Sequence, residues 1–88
     1  MKGCNCIHSK LTNNRYYITK KKIFVIDNTG RLIKKLELPI QNGDVIGFAF
    51  MFYEDEELIT IILMRDYYDR QVTLNEQTLE FGTVRLFK

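Results

Sequence analysis

Alanine is nearly missing from this chain: Ala49 is the only one in 88 residues, Pro39 is the only proline, and tryptophan is absent. Without the strongest helix former, long helices are not expected. Histidine and serine occur once each, as the neighbours His8 and Ser9. Adjacent residues on a strand face opposite ways, so the two do not form a nucleophile and its base. No nucleophile elbow, phosphate loop or dinucleotide fingerprint is present, and the five glycines are scattered as turn and bulge residues are. These absences argue against an enzyme and against a bound cofactor. No apolar run approaches the ~18–20 residues that span a bilayer; the longest, residues 45–53, has the length of an interior strand. Met1, Lys2, Gly3 and Cys4 lack the apolar stretch of a secretory signal. A cytoplasmic protein with no membrane partner is expected.

What the chain has in quantity is ten isoleucines, six phenylalanines and five tyrosines, within 45% hydrophobic and 27% charged residues. β-Branched and aromatic wealth points to strands, and the overall balance to a folded domain. Segments 16–20, 23–27, 31–38, 45–53, 57–65, 70–75 and 79–87 read as strands. Asp27-Asn28-Thr29-Gly30 and Gln41-Asn42-Gly43-Asp44 are clear turns between them. Seven strands joined by connections of a few residues cannot make parallel crossovers. The predicted fold is therefore all-β, an antiparallel meander with no substantial helix. Residues 1–15 are expected to form an N-terminal arm and residues 16–88 a single domain.

A shift of 48 positions superimposes Phe24 on Val72, Ile26 on Leu74, Asp27 on Asn75, Ile33 on Phe81, Leu36 on Val84 and Leu38 on Leu86. In both copies the apolar positions change parity, from Ile33 to Leu36 and from Phe81 to Val84. If those residues share a face, that change predicts a β-bulge in each hairpin. The stretch Ile23-Phe24-Val25-Ile26-Asp27-Asn28-Thr29-Gly30-Arg31-Leu32-Ile33-Lys34-Lys35-Leu36-Glu37-Leu38-Pro39 resembles the outer hairpin of NHL-type and related β-propeller blades, and residues 45–87 could form one four-strand blade. The resemblance implies about one and a half blades, where a ring needs 4–8. Several chains would then assemble, or the strands would close into a small barrel or sandwich. No functional residue carries over from that family.

Segment 45–53 places Ile46, Phe48, Phe50 and Phe52 on one face, and Val45, Gly47 and Ala49 on the other. Segment 57–65 is apolar on both faces. Such strands are normally covered above and below. A single seven-strand sheet supplies one cover, so the second must come from barrel closure or from another copy of the chain. Self-association, most simply a dimer, is the favoured expectation.

The formal net charge is +2, yet residues 1–44 hold nine basic and three acidic residues, and residues 45–88 four basic and eight acidic, for nets of +6 and −4. This polarity either steers a partner or a second copy, or neutralises itself within one fold. Arg65, Asp66, Tyr67, Tyr68, Asp69 and Arg70 form the best candidate binding loop, since arginine and tyrosine dominate binding hot spots. Their charges can equally satisfy one another across the turn. Arg15, Tyr16, Tyr17, Lys20, Lys21 and Lys22 form a second, basic-aromatic patch, the residue mix that tracks phosphates and stacks bases. Lysines also guard sheet edges, and the low net charge argues against nucleic acid. Cys4, Cys6 and His8 are weak metal candidates. On a strand they lie about 6.5–7 Å apart, and tetrahedral zinc needs the segment to curl and a fourth ligand. The carboxylates at 54–57 read as a solvated turn.

These features describe a non-catalytic binding protein (an inhibitor, adaptor or accessory subunit) that engages a protein partner through a charged-aromatic loop face. The alternative is a homo-oligomer that sequesters a small anionic, nucleotide-type ligand between subunits. Gly47 and Ala49 would then supply space, tyrosines a stacking surface, and Arg65, Arg70 or Lys20, Lys21 and Lys22 the positive charge.

Overall fold

A computed structural model describes residues 5–87 apart from positions 42 and 67. Among them there are nine strands and no helix. Strands β1 (Asn5–His8), β2 (Arg15–Ile18), β3 (Lys22–Ile26) and β4 (Leu32–Glu37) form one sheet in chain order. Strands β5 (Val45–Glu54), β6 (Glu57–Met64) and β7 (Asp69–Asn75) continue into a second sheet, in which β8 (Glu80–Phe81) and β9 (Arg85–Phe87) both pair with β7. Every pairing is antiparallel. No helix among the described residues is long and apolar enough to cross a membrane.

Local chemistry explains the turns. The Asp27 carboxylate accepts hydrogen bonds from the Thr29 amide (3.0 Å), the Thr29 hydroxyl (2.6 Å) and the Arg31 amide (2.9 Å), while Gly30 supplies a φ of 92°. The Thr19 hydroxyl closes the β2–β3 turn, donating to the Lys22 carbonyl and accepting from the Lys22 amide. Asn75 accepts from the Gln77 and Thr78 amides after β7.

Two expectations change. Residues 5–8, placed in an N-terminal arm, form β1 and pair with β2. The segment 79–87 is two strands rather than one, because it carries an extra residue. Leu74 pairs with Phe81 and Gln71 with Arg85, so residues 82–84 oppose only residues 72–73. The other hairpin does the same on a smaller scale: Val25 pairs with Lys34 and Ile26 with Leu32, leaving Ile33 over. Each copy of the duplicated hairpin thus carries one surplus residue on its second strand.

Of the alternatives the sequence leaves open, the sandwich is the one adopted. The chain makes two sheets, and each covers the inner face of the other. Tyr16, Ile18, Ile23, Val25 and Leu36 from the first pack in one core with Phe48, Met51, Leu58, Ile62, Met64, Val72 and Leu74 from the second. The second cover for the apolar strands therefore comes from the same chain. Strand β5 also breaks its expected faces, because Phe48 pairs with Ile62 and Phe50 with Ile61, leaving Ala49 as a bulge. Past that bulge the parity inverts, so Phe48 and Met51 are buried while Phe50 and Phe52 turn outward.

The β2–β3 turn lies directly on β5. The Phe48 amide donates to the Lys20 carbonyl at 2.8 Å. Gly47 sits beneath it with φ 152°, and a Cβ there would stand 2.3 Å from that carbonyl oxygen. Only glycine permits this approach between the sheets.

Candidate functional site

The loop from β6 to β7 is bound to itself and to the inter-sheet connection. Arg70 forms a two-pronged ion pair with Asp66, Nη2 to Oδ2 at 2.7 Å and Nη1 to Oδ1 at 3.3 Å, and Nη1 also donates to the Tyr68 carbonyl. The Arg70 guanidinium holds the Asp66 carboxyl below the usual carboxylate range. Asp69 accepts from the Met64 amide at 3.0 Å. Arg65 points away from the loop, donating to the Gly43 carbonyl at 2.7 Å. Asp66, Tyr68 and Arg70 therefore share one turn, with the Tyr68 residue 46% exposed, while Arg65 and Asp69 brace it. Tyr67 lies outside the described residues.

The basic-aromatic patch does not survive intact. Tyr16 is completely buried, because inward and outward positions alternate along β2 and its ring falls on the inner face. Arg15 and Tyr17 face outward. Lys22 pairs with Glu37 at 2.7 Å, and Lys20 lies over Gly47. The space expected at Gly47 for a ligand is thus filled by the protein itself. Lys21 and Lys22 do border an open hollow of about 600 Å3, together with Glu37, Leu38, Ile40 and Val45.

A group absent from the sequence reading joins the two sheets. Glu76, 8% exposed, accepts hydrogen bonds from the Ser9 hydroxyl (2.6 Å), the Tyr16 hydroxyl (2.9 Å) and the Tyr53 hydroxyl (3.0 and 3.1 Å to its two oxygens). The Tyr53 hydroxyl accepts from the Lys10 amide, and the Lys10 ammonium stands 4.8 Å above the Tyr53 ring. Burial, then the bond to Glu76, pushes the Tyr16 phenol up; burial also raises Tyr53. The Ser9 hydroxyl donates to Glu76, and its oxygen accepts from the Leu11 and Thr12 amides and the Thr12 hydroxyl. The cluster is a polar clasp between the 9–14 turn and both sheets. Its members lie as far as 67 positions apart, a separation that no local pattern reveals.

Cys6 and His8 face outward from β1, opposite Tyr17 and Arg15, and Cys4 lies outside the described residues. Among the described residues no three His, Cys, Asp or Glu side chains gather as metal ligands would.

Residues directly opposite in an antiparallel pair share a face, so the registers define both outer surfaces. On the first sheet the outward rows are Lys22 and Glu37, then Cys6, Tyr17, Phe24 and Lys35, then His8, Arg15, Ile26 and Leu32. On the second they are Phe50, Ile61, Gln71 and Arg85, then Phe52, Ile59 and Thr73. Phe50 and Phe52 lie 6.0 Å apart, ring centre to ring centre. Phe50 is 45% exposed, although Ile59 and Ile61 beside it are buried. Neither aromatic face is legible from side-chain alternation alone, because the registers and the β5 bulge decide which residues point outward. The chain matches no family model, no curated protein and no solved structure.

Proposed function

We propose that the protein is a non-catalytic binding module that engages a protein partner through the loop between β6 and β7. One observation carries this reading: Tyr68 is exposed beside the Asp66–Arg70 ion pair, and the same arginine donates to the Tyr68 carbonyl. A ring offered on a pre-ordered turn loses little freedom on binding, and tyrosine beside arginine is the pairing that dominates hot spots. The immobilised protein is expected to retain a specific partner, and Tyr68→Ala to weaken that capture at least about tenfold, as for a hot-spot side chain. Leu11→Ala, at an exposed apolar position elsewhere, should leave it unchanged. Capture undiminished by Tyr68→Ala would exclude this loop.

A second reading, sequestration of a small anion, is favoured by the hollow bordered by Lys21 and Lys22. It calls for nucleotides to raise the unfolding midpoint of the wild type and not of Lys21→Glu. No shift with any nucleotide would remove it.

A further inference from the structure

We infer that the outer face of the second sheet docks on the outer face of the first sheet of another copy of this chain, so that copies associate head to tail. This inference is independent of the Tyr68 loop.

The second sheet's outer face is oily at its centre. Phe50, Phe52 and Leu63 stand exposed or half-buried around Ile59 and Ile61. Its border is mainly acidic: Glu54 and Glu57 are paired in register, and Glu80 lies opposite Asn75, all exposed, against one exposed cation in the same rows, Arg85. The first sheet's outer face is also apolar at its centre, with Tyr17, Phe24 and Ile26 half-buried and Leu32 exposed. Its border carries an excess of cations instead: Lys22 is neutralised by its register partner Glu37. Arg15 and Lys35 are exposed and form no ion pair with a carboxylate among the described residues.

Charge decides which faces meet. Pressing two second-sheet faces together would set three carboxylates and one arginine against the same set, and two first-sheet faces would set the unpaired Arg15 and Lys35 against each other. Only the unlike pairing joins apolar centre to apolar centre with opposite net charge on the two borders. The nets of +6 for residues 1–44 and −4 for residues 45–88 bias encounter the same way. An unlike pairing leaves one face of each kind open at the ends, so association continues beyond two copies unless the rotation closes a ring.

Light scattering on the full chain tests this with two variants at exposed positions, Phe50→Arg on one face and Arg15→Glu with Lys35→Glu on the other. The wild type should exceed the monomer mass by twofold or more, and the excess should fall as salt is raised. Each variant alone should be monomeric with an unchanged circular dichroism spectrum. Mixed in equal amounts they should form a one-to-one pair, because each keeps the face that the other has lost. Tyr68→Ala should leave the wild-type mass unaltered, which separates this outcome from that of the proposed partner loop. A wild type monomeric at every concentration overturns the inference. So does either variant that stays associated alone, which marks a like-to-like contact, and so does a mixture of folded variants that remains monomeric.

Discussion

In the middle of β6, Thr60 is fully buried between Met51 and Val72, its register partners, and its hydroxyl finds no hydrogen-bond partner. A stranded hydroxyl costs desolvation without return, so Thr60→Val should stabilise the fold by about 1 kcal/mol. The denaturant midpoint should rise with no change in slope; a fall would mean that the hydroxyl is satisfied. The clasp around Glu76 is the opposite case, with three hydroxyls donating to one carboxylate. It also sets an alkaline limit. Tyr16 and Tyr53 have phenols raised above the ordinary value of 10.0, so the fold requires their neutral forms. Their contribution is complete below pH 10 and declines above it, as the unfolded chain releases protons that the folded one retains. Midpoints measured from pH 8 to about 11.5 should fall above pH 10, and less steeply in Tyr16→Phe. The sequence displayed Thr60 as the one polar residue in an apolar run. It gave no hint of the clasp, because Ser9, Tyr16, Tyr53 and Glu76 meet only once two sheets are stacked.

At the scale of a strand, side-chain alternation is readable only until a bulge interrupts it. That is why segment 57–65 was legible as apolar on both faces, whereas the expected four-residue wall of Ile46, Phe48, Phe50 and Phe52 does not form. The surplus Ala49 sends Phe48 inward and Phe50 outward. The hairpins fared better, since a shared parity change in the two copies pointed to a surplus residue in each, and both carry one. Gly47 is where element meets element. Gly47→Ala would force a Cβ to within 2.3 Å of the Lys20 carbonyl oxygen, and backbone cannot yield as a flexible side chain does. The substitution should cost at least about 2 kcal/mol in chemical denaturation, adding unfavourable φ to overpacking. Gly43→Ala, where nothing lies within 4 Å of the added methyl, should cost far less. Equal losses at the two positions would show that the β2–β3 turn does not bear on β5.

Over the whole molecule, the antiparallel all-β character was legible from composition and turn spacing, but the choice among blade-like sheet, barrel and sandwich was not. A meander has the same alternation whether its strands extend one sheet or fold back over themselves. The charge asymmetry between halves becomes physical at this scale, because the halves are the two sheets. Their mutual burial gives a radius of gyration of 12.6 Å, close to the ~12 Å of a compact chain of this length. Each layer supplies the other's only inner cover among the described residues, so neither should fold alone. Five core side chains of the first sheet, Tyr16, Ile18, Ile23, Val25 and Leu36, would face water in a peptide of residues 1–43. At about 1.5–3 kcal/mol for each large apolar side chain, that loss rivals the ~5–15 kcal/mol stability of a typical domain. The intact chain should therefore unfold in one transition, with the same midpoint by circular dichroism and by tyrosine fluorescence. Peptides 1–43 and 44–88 should be unfolded separately and regain strand signal when mixed. A cooperative melt from either peptide alone would mean that the two sheets are independent units in contact, and that the shared core is not what holds them.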